Sequence, residues 1–380
     1  MLPAWAASTF TVAPGQSLAQ AVQQAADGDV IELLPGEHRG QVAVLAQRRL
    51  IVRGAPGGSR PVLLADGQSA EGKAILVIRG GSLQIENLEF RGARVADHNG
   101  AGIRFERGQL WVRNCAFYDN QNGILAGNVD DAELTVENSV FGQAPPNTTL
   151  PHLIYVGRIA RFVLQGSHLS GGLHGHLVKS RARVNEVRYN HLVDGSGGRA
   201  SYELEFPNGG SAVVVGNVIA QSEHSSNPAI VSFGAEGDVP AAEPRAPRVH
   251  SLVLINNTLV NSGWRPAQFV RVHEDRLRSP VQQRWANNLF VGLGVADVVW
   301  GDLARGNYPA LALALRNPAQ GDFSLNASSL LRGRGIAPQE LDDGPDRALR
   351  ALWPNAEFTP PLGSRPLTEM KQWSPGAHQP

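Results

Sequence analysis

Lysine is rare in this 380-residue chain, with Lys73, Lys179 and Lys371 standing against 31 arginines. Lys179 follows the apolar pair Leu177-Val178. If Val178 points inward, strand alternation turns Lys179 outward, where segments one repeat away bring Tyr155 to one side and Glu203 or Glu205 to the other. Arg181 and Arg183 lie just beyond, and cationic neighbours lower the pKa of an ammonium group. A lysine so placed has the chemistry to take a proton from a carbon next to a carboxylate. The plain alternative is a surface lysine paired with a glutamate of the next repeat.

Other groups crowd the same stretch. With Tyr202, Leu204 and Phe206 inward, Glu203 and Glu205 share the outer face, roughly 6.5–7 Å apart by strand rise. That separation suits an inverting glycoside hydrolase, and equally a cation site or salt bridges to Lys179. Five of the eleven histidines (His152, His168, His174, His176 and His191) fall between residues 152 and 191. His174 and His176 form an H-x-H that can serve acid–base chemistry or, with help from adjacent repeats, hold a transition metal. His168 and His191 read as packing residues. From 152 to 210 there are seven Lys+Arg, among them Arg158, Arg181 and Arg183, against four Asp+Glu. Guanidinium forks take carboxylate or sulfate bidentately, so this strip, with His152, Glu203 and Tyr202, reads as a surface for an acidic glycan; inter-repeat salt bridging is the competing reading.

Such residues meet only if the chain repeats, and it does. Leu83-Gln-Ile-Glu-Asn-Leu-Glu-Phe90, Leu110-Trp-Val-Arg-Asn-Cys-Ala-Phe117 and Leu134-Thr-Val-Glu-Asn-Ser-Val-Phe141 share one phrase, and the series runs on to Phe290. Its closing apolar positions are 90, 117, 141, 169, 192, 219, 259 and 290, spaced by 27, 24, 28, 23, 27, 40 and 31. A shorter strand precedes each, as in Ile103-Arg-Phe-Glu106 and Tyr202-Glu-Leu-Glu-Phe206, so every coil holds at least two strands. One coil cannot bury its apolar face alone; stacked coils pair all backbone groups and share a core. Asn190, Asn217, Asn257 and Asn288 fall in one column and read as a structural amide ladder. Ser17 caps a predicted helix with Leu18, Val22 and Ala25 on one face, which covers the open first coil. Residues 234–249 account for the 40-residue interval as an inserted loop, and the Pro-rich stretch 335–380 reads as a tail packed outside a solenoid spanning 8–334.

Phe10-Thr-Val-Ala-Pro-Gly-Gln-Ser-Leu18, Ala26-Asp-Gly-Asp-Val-Ile-Glu-Leu33 and Pro35-Gly36 resemble the usual start of the pectin-lyase-like superfamily, and Phe323–Leu331 with Ser374-Pro-Gly-Ala377 its usual exit. The resemblance implies a right-handed parallel β-helix of roughly ten coils. Locally, Val178-Lys179-Ser180 followed by Asn185-Glu-Val-Arg-Tyr-Asn190 resembles the catalytic coil of the lysine-dependent alginate- and dermatan-cleaving lyases. By that resemblance Lys179 is the base. The family's calcium-binding carboxylates are replaced here by Leu173-His174-Gly175-His176, which leaves the cofactor open. The reading is then β-elimination at a uronic acid, or C5 epimerisation, with arginines or histidines neutralising the carboxylate and Tyr155 or His176 protonating the leaving oxygen. A hydrolase built on Glu203 and Glu205 and a non-catalytic glycan-binding β-helix are the alternatives.

Composition excludes the disordered and membrane-spanning classes. Lys+Arg and Asp+Glu number 34 each, so no global field recruits nucleic acid, and no apolar run reaches the ~18 residues of a membrane span. The 42 glycines and 25 prolines mark a turn-rich chain, and the single Cys115 precludes an intrachain disulfide. Residues 1–7 resemble the remnant of a secretory signal, which implies a secreted or periplasmic protein. A monomer is expected.

Overall fold

The computed structural model describes residues 8–146, 148–149, 151–238, 248–296, 305–341, 345–368 and 370–379. The suspected signal remnant and residues 239–247 of the inserted loop lie outside these. The chain winds as a parallel β-helix with three parallel sheets of eleven, ten and eleven strands among the described residues. The first holds the long alternating strands such as Gln109–Arg113, the second the shorter ones such as Val178–Ser180, and the third the short strands such as Ala116–Tyr118. This third strand is the closing part of the sequence phrase. Only two to four residues long in each described coil, it is too short to show a period of its own.

The predicted column of closing apolar residues is in perfect register. Phe90, Phe117, Phe141, Leu169, Leu192, Ile219, Leu259 and Phe290 pair in turn. Phe90, Phe117 and Phe141 stack face to face at 4.9 and 4.5 Å. Across the core, Gly102 and Gly123 supply the room for them: a Cβ on Gly102 would lie 2.8 Å from Phe117, and one on Gly123 2.7 Å from Phe141. These glycines answer to close approach rather than to φ. At the open end, the Ser17 hydroxyl accepts from Gln20 N, and Leu18, Ala21 and Val22 of the helix Leu18–Gln24 bury themselves in the first coils. Described residues from 336 onward pack outside the solenoid, with Leu341, Leu349, Trp353 and Trp373 against Val215, Val253 and Ile255.

The turn between first and third sheets carries the amide ladder. Asn190, Asn217, Asn257 and Asn288 each donate Nδ2–H to the Oδ1 of the next at 2.9–3.0 Å, and Asn307 extends the column. Each receiving Oδ1 also accepts the backbone N–H of the preceding coil's asparagine, so one buried side chain satisfies two donors. Asn217→Ala removes the acceptor of Asn190 N and of one Asn190 Nδ2 hydrogen, the other staying on Leu164 O, in a buried turn. Leaving two buried donors bare is expected to cost about 3 kcal/mol, read as a lower denaturant midpoint; a midpoint equal to wild type would mean that water enters the turn and replaces the amide.

Candidate active site

Registration of the second sheet decides which polar groups meet. Ile154, Val178, Leu204 and Val231 point inward, and beside them Leu125, Tyr155, Lys179, Glu205, Ser232 and Arg271 form one outward row. Tyr155 and Glu205 therefore flank Lys179 as the alternation argument expects. His152, His176 and Tyr202 form a second cluster on the same face. The His176 ring lies 4.7 Å from that of His152 and stacks on Tyr202 at 5.1 Å.

The cluster is one charge network. Lys179 Nζ lies 3.2 Å from Glu205 Oε2 and donates to Glu236 Oε1 at 2.8 Å. Arg181 grips the same Glu236 carboxylate from the other side, Nη1 to Oε2 at 2.6 Å and Nη2 to Oε1 at 2.9 Å. Its Nε donates to Tyr155 Oη at 2.9 Å, and Nη1 reaches Asn208 Oδ1 at 2.8 Å. On the far side of Glu205, His176 Nε2 is 3.2 Å from Oε2, and His176 Nδ1 is 3.0 Å from His152 Nδ1. His152 Nδ1 also accepts the His176 backbone N–H, so the neutral His152 ring carries its proton on Nε2.

Electrostatics corrects one expectation. Burial and Arg181 push the Lys179 ammonium down, but Glu205 and Glu236 outweigh them and raise its pKa. The lysine is a cation at rest, not a free amine, because both carboxylates lie within 3.2 Å. Burial opposes ionisation of Glu236, yet Arg181 and Lys179 bring it down to about 2. Glu205 is likewise lowered by His176 and Lys179 against its burial. Burial holds His152 well below the ordinary imidazole range, with His176, Lys179 and Arg181 adding to the effect.

Two expected members are elsewhere. Tyr202 does not point inward, and Glu203 is not on the outer face. The chain bends at residue 203, before the strand Leu204–Phe206 begins, and the parity flips there. Glu203 is 0% exposed, and neither carboxylate oxygen finds a hydrogen-bond partner among the described residues. Burial, with Asp194 nearby, raises its pKa well above the carboxylate range, so it is a neutral interior acid. The Glu203–Glu205 pair that the hydrolase reading needs therefore does not form on this face. His174 occupies an exposed turn at φ 59°, with no side-chain hydrogen bond or ion pair among the described residues. Arg158 and Arg183 lie in the turn after the second sheet, outside the carboxylate grip. Burial and these like charges, Arg183 foremost, bring Arg248 down to about 10.

Sequence reasoning passed over Glu236 and Asn208. Glu236 opens the inserted loop, held in place by its backbone N–H on Pro207 O and by Asn208 Nδ2 on Gly237 O. The sequence signal for it was the 40-residue interval, an insertion two coils on from the lysine. Calcium does not suit the residues present: Glu205 and Glu236 both face cations, and no group of three or more His, Cys, Asp or Glu among the described residues is arranged to hold a metal.

No protein-family model and no curated protein matches the chain. Among solved structures it is similar to pectate lyase Pel9A, covering 98% of this chain and 96% of that one at TM-score 0.58 and 14% identity. It is also similar to the PL6 family alginate lyase AlyGC, covering 76% of this chain and 39% of that one at TM-score 0.50 and 15% identity. At these identities the likeness is one of fold, the parallel β-helix. Among the described residues no helix is long and apolar enough to cross a membrane.

Proposed function

We propose that this chain is a secreted or periplasmic enzyme that removes the C5 proton of a uronic-acid residue in an acidic polysaccharide, as a β-elimination lyase or, by returning a proton to the opposite face, as a C5 epimerase. One observation carries the reading: the outer face already grips a carboxylate. Glu236 is held by Lys179 and Arg181 with its side chain 43% exposed, a position from which a substrate carboxylate can displace it. The lyase folds of the two similar structures support the polymer class.

The chemistry follows from the neighbours. With a uronate carboxylate in the Arg181 fork, the negative charge that develops on proton removal is stabilised where it forms. Lys179 must give up its own proton first, and Glu205 at 3.2 Å is the acceptor. Bound polymer excludes water, and in a dry site a neutral amine–acid pair competes with the ion pair. The amine then takes the C5 proton, the C4–O bond breaks as the C4–C5 double bond forms, and the leaving oxygen takes a proton from Tyr155. Tyr155 is set for this because its Oη accepts from Arg181, which leaves its own hydrogen free to donate outward. His176 holds Glu205 in place from the other side.

Glu236→Gln tests the reading. Removing this carboxylate takes away one of the two charges that raise the Lys179 pKa, so the acid limb of the pH–rate profile is expected to move to lower pH, and KM for the polymer to fall. Loss of turnover in this variant would instead place Glu236 in the chemistry and overturn its reading as a stand-in for substrate.

A further inference from the structure

A second polar cluster sits on the third sheet, on a different face from Lys179. Val140, His168, His191 and Val218 are in register there, and segments around 316–332 and 357–379 fold beside the two imidazoles to form a half-open cavity of about 750 Å3. That is ample for one or two sugar-sized units. His191, 4% exposed, packs its ring on Phe358 at 4.2 Å and meets His378 edge-on, the two Nε2 atoms 3.4 Å apart.

The carboxylates lining this cavity are already engaged. Glu357 pairs with Arg365 and accepts from Gln379 N at 2.7 Å. Asp322 accepts from Ser324 N at 3.1 Å and Ser324 Oγ at 2.5 Å, with Arg316 at 3.7 Å. What remains is donor capacity. Arg332 has no carboxylate partner among the described residues, and its Nη1 reaches only the Leu325 carbonyl, at 3.4 Å. Thr359 Oγ1 is buried without a hydrogen-bond partner among the described residues.

We propose that this cavity binds a small organic anion of mono- to disaccharide size, its carboxylate taken by Arg332 and the His191–His378 pair and its body lying against Leu325 and Phe358. The site is independent of the Lys179 chemistry. Binding is coupled to protonation. Burial lowers the pKa of His168, and of His191 and His378, on which His378 and His168, and Arg365, respectively act in the same sense; Glu357 and Asp322 oppose this at His378. The other charges facing the pair are Arg316 and Arg332. The imidazoles are therefore neutral in the free protein at neutral pH. An incoming anion favours their charged forms, so binding takes up protons and tightens as pH falls below neutral.

The test is titration calorimetry with sodium galacturonate, in two cationic buffers of different ionisation heat, on wild type, Arg332→Gln and Lys179→Ala. The expected result is one site with proton uptake, affinity about tenfold or more weaker in Arg332→Gln and unchanged in Lys179→Ala, and no binding of the uncharged methyl ester. Tetragalacturonate in a parallel titration separates sources: equal affinity means that a chain end enters the cavity, and no binding means that it takes only free small acids. Absence of binding by galacturonate, equal affinity in Arg332→Gln, or loss of binding in Lys179→Ala would each overturn the proposal.

Discussion

Lys179→Ala is expected to lower the rate of uronate turnover by about 10³-fold, the weight of a positioned general base. Lys179→Arg is expected to do the same, since a guanidinium keeps the charge at Glu205 and Glu236 but holds its proton at any working pH. The pair of variants separates the two jobs that a lysine performs here. If charge alone mattered, the arginine variant would keep most of the activity while alanine lost it. Removing the ammonium also leaves Glu205, 4% exposed in its side chain, with His176 as its one remaining ion-pairing partner among the described residues, so the alanine variant should lose some stability. Circular dichroism at the assay temperature checks that the sheet content is intact, and initial rates from the absorbance of unsaturated uronate give the fold-loss.

Phe117→Ala is expected to be the most damaging single change to the fold. Phe117 is 1% exposed and stacks on Phe90 and Phe141 on its two sides, with Gly102 of the second sheet against its edge. Truncation empties a ring-sized volume that the backbone of two sheets cannot close, and removes two stacking contacts, at about 3–5 kcal/mol. Stacked coils exchange energy mainly with their neighbours, so the loss should appear first as local opening around the coils of residues 90–141. Hydrogen exchange is the measurement. Protection should fall in the strands Glu89–Arg91, Ala116–Tyr118 and Val140–Gly142, while the coils around Leu259 keep theirs. A loss spread evenly over the chain would show that the solenoid unfolds as one unit.

The apolar columns were legible because β-solenoid registration is a linear property. Once Phe117 sits over Phe90, every later coil follows with the turn length, and the asparagine column comes with it. The site was half legible for the same reason: Tyr155, Lys179 and Glu205 are a register row, and alternation places them on one face. Alternation failed at Glu203, where a bend precedes the strand and reverses the parity, something that the letters Tyr-Glu-Leu-Glu-Phe do not encode. It failed again for the Lys179 charge, because Glu236 reaches the lysine from an insertion far along the chain and reverses the sign expected from Arg181 and Arg183. His168 and His191 read in the sequence as packing residues; the cavity above them exists only because segments around 316–332 and 357–379 return to cover that sheet.

The most direct measurement follows C5 hydrogen exchange by NMR when wild-type protein is incubated in deuterated water with polygalacturonate, alginate and glucuronan, with absorbance recorded in parallel. The expected result is deuterium at C5, or unsaturated uronate in its place, on at least one polymer with wild type, and neither with Lys179→Ala. A polymer that binds the wild type at the Arg181 face and yet shows neither exchange nor absorbance would contradict proton abstraction and leave a glycan-binding β-helix.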